Sequence, residues 1–126
     1  MLSVIPINHQ TWLVCGGRDF TNQQMFDAAM SDLVHQLGMP EKIVHGGARG
    51  ADQMAGGWAG HHAIDIFVEH ADWQTHGRSA GPMRNQKMID AHKPDYVIAF
   101  PGGRGTADMI SRAKAAHIDV IEVRPK

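Results

Sequence analysis

The chain has 126 residues, 43% of them hydrophobic and 20% charged, with a formal net charge of −1. That is room for one domain, a sheet flanked by helices, and it excludes a global basic field able to hold a nucleic-acid backbone, although a local basic patch stays open. A lone cysteine, Cys15, excludes an intrachain disulfide; set in an apolar run, it points to a buried thiol in a reducing, cytoplasmic setting.

Met1 to Gln10 is mildly apolar and broken by Pro6. It lacks a basic n-region and a long apolar core, so it reads as a loose lead-in or edge segment rather than a signal peptide. Nothing in the chain approaches transmembrane length. Thr11 to Cys15 predicts a first strand, followed directly by Gly16-Gly17-Arg18-Asp19. Thr21 opens a helix, with Gln24 completing a capping-box pattern. Phe26, Ala29, Met30, Leu33, Val34 and Leu37 recur at helical spacing, and Gly38 and Pro40 end the helix.

Lys42 to His45 predicts a second strand, and Gly46-Gly47-Ala48-Arg49-Gly50-Ala51-Asp52 a glycine-rich turn. The helix after it, roughly 51–62, is rich in small residues, which let it lie close to the sheet or to a partner helix, the sheet being the favoured contact. Residues 63–69 predict a third strand and 70–79 a polar loop. Ser79 caps a third helix with Pro82 in its first turn and Met83, Met88 and Ile89 on its apolar face, and Pro94 ends it. Tyr96 to Phe100 is an apolar run of the kind buried on both faces of a sheet. Pro101 stops its ladder, Gly102, Gly103 and Gly105 free the backbone, and Thr106 caps a fourth helix to Ala116. Residues 119–123 close the chain as a fifth strand. Strand and helix alternate, so the fold class is α/β, a Rossmann-like, about five-stranded parallel sheet with helices on both faces, in one domain over 1–126.

In such a sheet, ligands sit beyond the carboxyl ends of the strands. Three strands end in Gly-Gly: at Gly16-Gly17, Gly46-Gly47 and Gly102-Gly103. Each turn carries an arginine at a similar offset: Arg18, Arg49 and Arg104. With Arg78 and Arg84, five of the seven arginines fall on this one edge. Guanidinium forks match phosphate oxygens two at a time, and the glycine turn before a helix offers free N–H groups, so the pattern predicts a phosphorylated ligand. Trp73 either stacks on a base or packs its loop. His45 either reaches the site or is a satisfied buried histidine. Asp52 and Asp108, each in the first turn of a helix, are candidate catalytic carboxylates or dipole partners. The nine histidines are scattered, so no metal site is expected, and no cofactor.

Five motifs together resemble the SLOG superfamily of Rossmann-like proteins and, within it, the small YpsA-related SLOG group. They are Gly16-Gly17-Arg18-Asp19-Phe20, the stretch from His45 to Asp52, Ala71-Asp72-Trp73, Gly81-Pro82-Met83-Arg84-Asn85 and Phe100-Pro101-Gly102-Gly103-Arg104-Gly105-Thr106. The resemblance spans 12 to about 123. It implies a cleft shaped by the seven glycines of the three Gly-Gly turns and Gly105, holding a nucleotide or ADP-ribose-like derivative. Arg18, Arg49, Arg84 and Arg104 would meet phosphates, helped by Thr106, and Asp52 a ribose hydroxyl. Some members sense ADP-ribose-type signals in antiviral defence. It also implies a homodimer or larger assembly, with the glycine-rich helix as a possible interface. The chain is similar, too, to the Lonely Guy phosphoribohydrolases, which cleave a base from a nucleoside 5′-monophosphate. Their Pro-Gly-Gly-x-Gly-Thr-x-x-Glu motif is kept through Thr106, but Met109 stands where they have glutamate. Their Arg-Lys-x-x-Met motif keeps Arg84 and Met88, with Asn85 for lysine. Hydrolysis through Asp52 or Asp108 is therefore the alternative activity. The shared fold of DNA-processing protein A implies a third, single-stranded DNA binding, which the net charge speaks against.

Overall fold

A computed structural model describes residues 7–125. The elements are β1 (Thr11–Cys15), α1 (Gln23–Leu37), β2 (Lys42–His45), α2 (Ala51–His61), β3 (Asp65–Val68), α3 (Trp73–His76), α4 (Ala80–His92), β4 (Tyr96–Ala99), α5 (Arg104–Ala115) and β5 (Asp119–Glu122). The strands form one all-parallel sheet in the order β3-β2-β1-β4-β5. The chain moves outward from β1 to β3, then crosses back to β4. The strand order thus reverses between β1 and β4, and a crevice opens beyond their carboxyl ends.

Alternating residues of the central strands feed two cores. Trp12, Val14, Ile43, Ile98 and Phe100 face α1 and α2. Leu13, Cys15, Val44, Val97 and Ala99 face α4 and α5, where Met88, Ile89, Met109 and Ala113 meet them. Phe26 and Phe100 stack with ring centroids 4.8 Å apart, and Phe20 lies 5.3 Å from Phe100 on the other side. Burying each such ring contributes about 2–3 kcal/mol, and this trio ties the loop after β1 to the end of β4.

Several local expectations are corrected. Helix α1 is capped by Asn22, whose side chain accepts from Met25 N–H (2.9 Å), so Thr21 and the capping box with Gln24 are not used. Both Thr21 and Asn22 are cap-forming types, and the one that places its oxygen over the first turn wins. The polar loop over 70–79 contains α3 and a 3₁₀ turn at Gly77–Ser79, because Asp72 accepts from Thr75 N–H (3.1 Å) and so starts a helical turn. Ser79 precedes α4 without a capping bond, and Thr106 lies inside α5 rather than ahead of it. Met83 is 49% exposed and belongs to no core. The small stripe of α2 that meets the sheet is Ala51, Ala55 and Ala59, whereas Gly57 and Gly60 face away, with nothing within 4 Å of a Cβ placed there. The lead-in lies partly outside the described residues. Its described end is held: Ile7 bridges Met39, and the Asn8 side chain donates to Leu37 O (2.6 Å).

Candidate functional site

The crevice between the β1 and β4 ends is a cleft of about 940 Å³. Its floor is built from backbones in close approach. Gly17 N–H donates to Pro101 O (2.9 Å), so the turns after β1 and β4 touch directly. A Cβ on Gly17 would sit 3.0 Å from both Gly102 Cα and Pro101 O, and one on Gly16 only 2.6 Å from Ala51 Cβ. Gly50, with φ +75°, presses against Gly17 O, joining the turn after β2 to the same floor. Only glycine combines that φ with that contact.

The turn after β4 is different at its tip. A Cβ on Gly103 or Gly105 meets nothing within 4 Å. Gly103 precedes α5 with no side-chain cap, and the first intrahelical bond runs from Ala107 N–H to Gly103 O (3.0 Å). The N–H groups of the first turn therefore have no helical partner and open on the cleft. Arg104 stands among them. Across the cleft, the Arg18 guanidinium lies 5.4 Å from the Trp73 ring centroid, a cation–π contact. Trp73 itself leans on α4 at Gly81, where its Cζ3/Cη2 edge takes the room of a Cβ. Arg78 completes the rim. Among the described residues, Arg18, Arg78 and Arg104 form no ion pair and no side-chain hydrogen bond.

The opposite wall is a closed network. Asp52 is buried, and its Oδ2 accepts from Gly46 N–H (3.2 Å) and Ala48 N–H (3.1 Å). Burial pushes the Asp52 carboxyl above its ordinary value; the Ala48 bond, the Arg84 charge, the Gly46 bond and the Arg18 charge pull it back. Arg84 reaches in from α4, donating Nη1–H to Gly46 O (2.7 Å) and Nε–H to Asn85 Oδ1 (3.1 Å). A side chain on Gly46 would collide with that guanidinium. Asn85 is buried and passes the link on, donating Nδ2–H to Gly105 O (3.1 Å) and to Asp108 Oδ2 (3.0 Å). Arg112 Nε–H also donates to Asp108 Oδ2 (2.8 Å). Cys15 lies beneath this wall; burial and then the Asp52 charge push its thiol up to about 12 against the pull of Arg84, so it is protonated at neutral pH.

Gly16, Gly17, Arg18, Asp19, Gly46, Ala48, Asp52, Trp73, Arg84, Asn85, Asp108 and Pro101 through Thr106 all line the cleft. His45, Gly47 and Arg49 do not. His45 is buried under α2, accepting from Gly47 N–H at Nδ1 (3.0 Å) and standing 3.1 Å from where a Gly56 Cβ would be. It is the satisfied histidine of the two readings, and burial followed by the nearby His70 charge lowers its pKa from 6.5. Gly47, at φ +74°, is packed against His70, and that bend turns Arg49 out to solvent. Met109 is turned into the core, and its neighbour Asp108 is the carboxylate of α5 that faces the cleft. Phe20, Thr21, Asn22, Gly81 and Pro82 also line it. Gly81 and Pro82 stand beside Arg84 in one motif, and that adjacency was the available signal. Among the described residues, no group of three or more His, Cys, Asp or Glu side chains is placed to hold a metal. No helix among them is long and apolar enough to cross a membrane.

Comparison with known proteins matches this region. Gene 61 protein of Mycobacterium phage D29 is 36% identical to the chain over 121 residues, covering 90% of this chain and 96% of the phage protein. Residues 13–76, from β1 through α3 with the first two glycine turns, match the family described as "YspA, cpYpsA-related SLOG family". The chain belongs to the YspA, cpYpsA-related SLOG family.

Proposed function

We propose that the cleft binds a nucleotide or an ADP-ribose-like nucleotide derivative and that the protein senses or sequesters it. One observation carries this reading: among the described residues, Arg18, Arg78 and Arg104 rim the cleft with no ion pair and no side-chain hydrogen bond, beside the open first turn of α5. Unpaired guanidinium groups next to free helix N–H groups suit phosphate oxygens. The Trp73 face, already occupied by Arg18 on one side, offers the apolar surface a base needs. The family supports a nucleotide-related role in general terms. The buried Cys15 thiol fits a reducing, cytoplasmic setting. Calorimetric titration with ADP-ribose, AMP and adenosine tests the reading. Binding of a phosphorylated compound and none of adenosine is expected; heat from none of the three, or equal affinity for adenosine, overturns it.

A second reading is N-glycosidic hydrolysis of a nucleoside monophosphate. It is favoured by the two carboxylates, Asp52 and Asp108, on the cleft wall, the first with a raised pKa. Incubation with nucleoside monophosphates decides it: release of free base that is lost in Asp108→Asn or Asp52→Asn supports hydrolysis, and intact nucleotide rules it out.

A further inference from the structure

Strand β3 forms one edge of the sheet, and all four of its residues are exposed. Ile66, Phe67 and Val68 are each 39% exposed, which makes three consecutive exposed large hydrophobics. The other edge is different. In β5 the charged Asp119 and Glu122 are exposed and Val120 and Ile121 are half-buried, the usual protection of an edge strand.

The backbone of β3 is open as well. Glu69 donates its N–H to His45 O (3.0 Å), so the odd-numbered residues turn their backbone groups toward β2. Ile66 and Val68 therefore turn theirs outward, to where no strand lies among the described residues. What fits such an edge is an extended strand that supplies backbone donors and acceptors.

The sequence of the edge selects that strand. Asp65-Ile66-Phe67-Val68-Glu69 reads the same by chemical class in both directions: acid, aliphatic, aromatic, aliphatic, acid. We propose that a second copy of the chain docks its β3 antiparallel on this one, about a two-fold axis through Phe67, to make one continuous sheet. A two-fold contact must be self-complementary, and the apolar centre of this stretch, Ile66-Phe67-Val68, is. In that register Ile66 faces Val68 of the other copy, and the pair exchanges its outward backbone hydrogen bonds. Phe67 faces Phe67 in the close, non-hydrogen-bonded position that favours aromatic pairs. Asp65 then faces Glu69. Those like charges oppose the contact, and Lys87 Nζ, 3.1 Å from Glu69 Oε2, offsets part of the repulsion. The acids end the apolar match at either side and set its length. The contact uses up β3 in both copies and leaves the charged β5 edges outside, so it closes at two chains.

The test joins sedimentation with amide exchange. The wild type is expected to be a concentration-dependent dimer whose Ile66 and Val68 amides are protected when concentrated and exchange quickly on dilution. Phe67→Lys places two ammonium groups face to face and should weaken the dimer about tenfold or more, with the circular dichroism spectrum unchanged. Phe67→Cys should form a disulfide-linked dimer on mild oxidation, and this second variant decides the matter if Phe67→Lys does not fold. A wild type that stays monomeric at millimolar concentration overturns the proposal. So does a dimer whose Ile66 and Val68 amides still exchange quickly, as one joined through the exposed face of α2 would show.

Discussion

Two turns of this protein share one pattern and use it in opposite ways. The turn after β2 reads Gly46-Gly47-Ala48-Arg49-Gly50, and the turn after β4 reads Gly102-Gly103-Arg104-Gly105. In the first, every glycine is filled by the protein itself: Gly46 by Arg84, Gly47 by His70 and Gly50 by the backbone of Gly17. Its arginine points away from the cleft. In the second, Gly102 packs against Gly17, but Gly103 and Gly105 face empty space and Arg104 lines the cleft. Glycine in the first turn makes room for the chain's own atoms, whereas two of the three glycines in the second leave open space at the cleft.

The largest expected effect breaks the first turn. Gly50→Ala puts a side chain on a left-handed residue and against Gly17 O at once. It should lower the unfolding free energy by about 3 kcal/mol or more, read by urea denaturation. The next effect belongs to the second turn. Arg104→Ala should weaken ADP-ribose binding by about tenfold or more, through loss of a charge-assisted contact, with stability unchanged. Arg49→Ala should leave the affinity where it was, since that side chain lies outside the cleft; a loss in Arg49→Ala equal to that in Arg104→Ala would erase the distinction. Smaller still, Gly105→Ala should raise stability by up to about 1 kcal/mol, because it improves helix propensity at an open position, while its methyl lowers ligand affinity.

The smallest effect is in pH. The folded-state pKa of His45 is depressed, so its contribution is present above the unfolded value of 6.5 and is lost as pH falls below it. Unfolding free energy should decline from pH 6.5 toward 5. His45→Asn, which keeps an acceptor for Gly47 N–H at the Nδ1 position, should flatten that decline, and thermal melts across the range would show it.

The sheet was readable because β1, β2 and β4 are short apolar runs ended by glycine or proline, and burial on both faces leaves no alternation to misread. β1 and β2 sit where the sequence placed them, and β3 is trimmed because Ala63, at φ +55°, still belongs to the turn after α2. The edge carrying the cleft followed from the three Gly-Gly turns and the parallel sheet. Side-chain direction did not follow. Arg49 and Arg104 stand at similar offsets from their glycines, two residues and one residue after the pair, yet Arg49 lies outside the cleft, between the positive-φ Gly47 and Gly50. Arg84 was expected to meet phosphate, and its hydrogen bonds run to its neighbour Asn85 and to Gly46 O, the latter a contact between segments far apart in sequence. Asn85 lines the cleft, and its amide is engaged with Arg84, Gly105 and Asp108. Met109 and Asp108 show the same limit on one helix: the motif located the carboxylate position, and packing against Met88 and Leu13 sent Met109 inward while its neighbour faced the cleft.

The most direct test follows the amide signals of uniformly ¹⁵N-labelled protein as ADP-ribose is added. The N–H groups of Gly103, Arg104 and Gly105 should shift most, with Gly17 and Arg18 next, while Gly47 and Arg49 stay in place. Shifts centred on residues 47–49, or no shift at the α5 N-terminus, would contradict the proposal that the turn after β4 holds a phosphate.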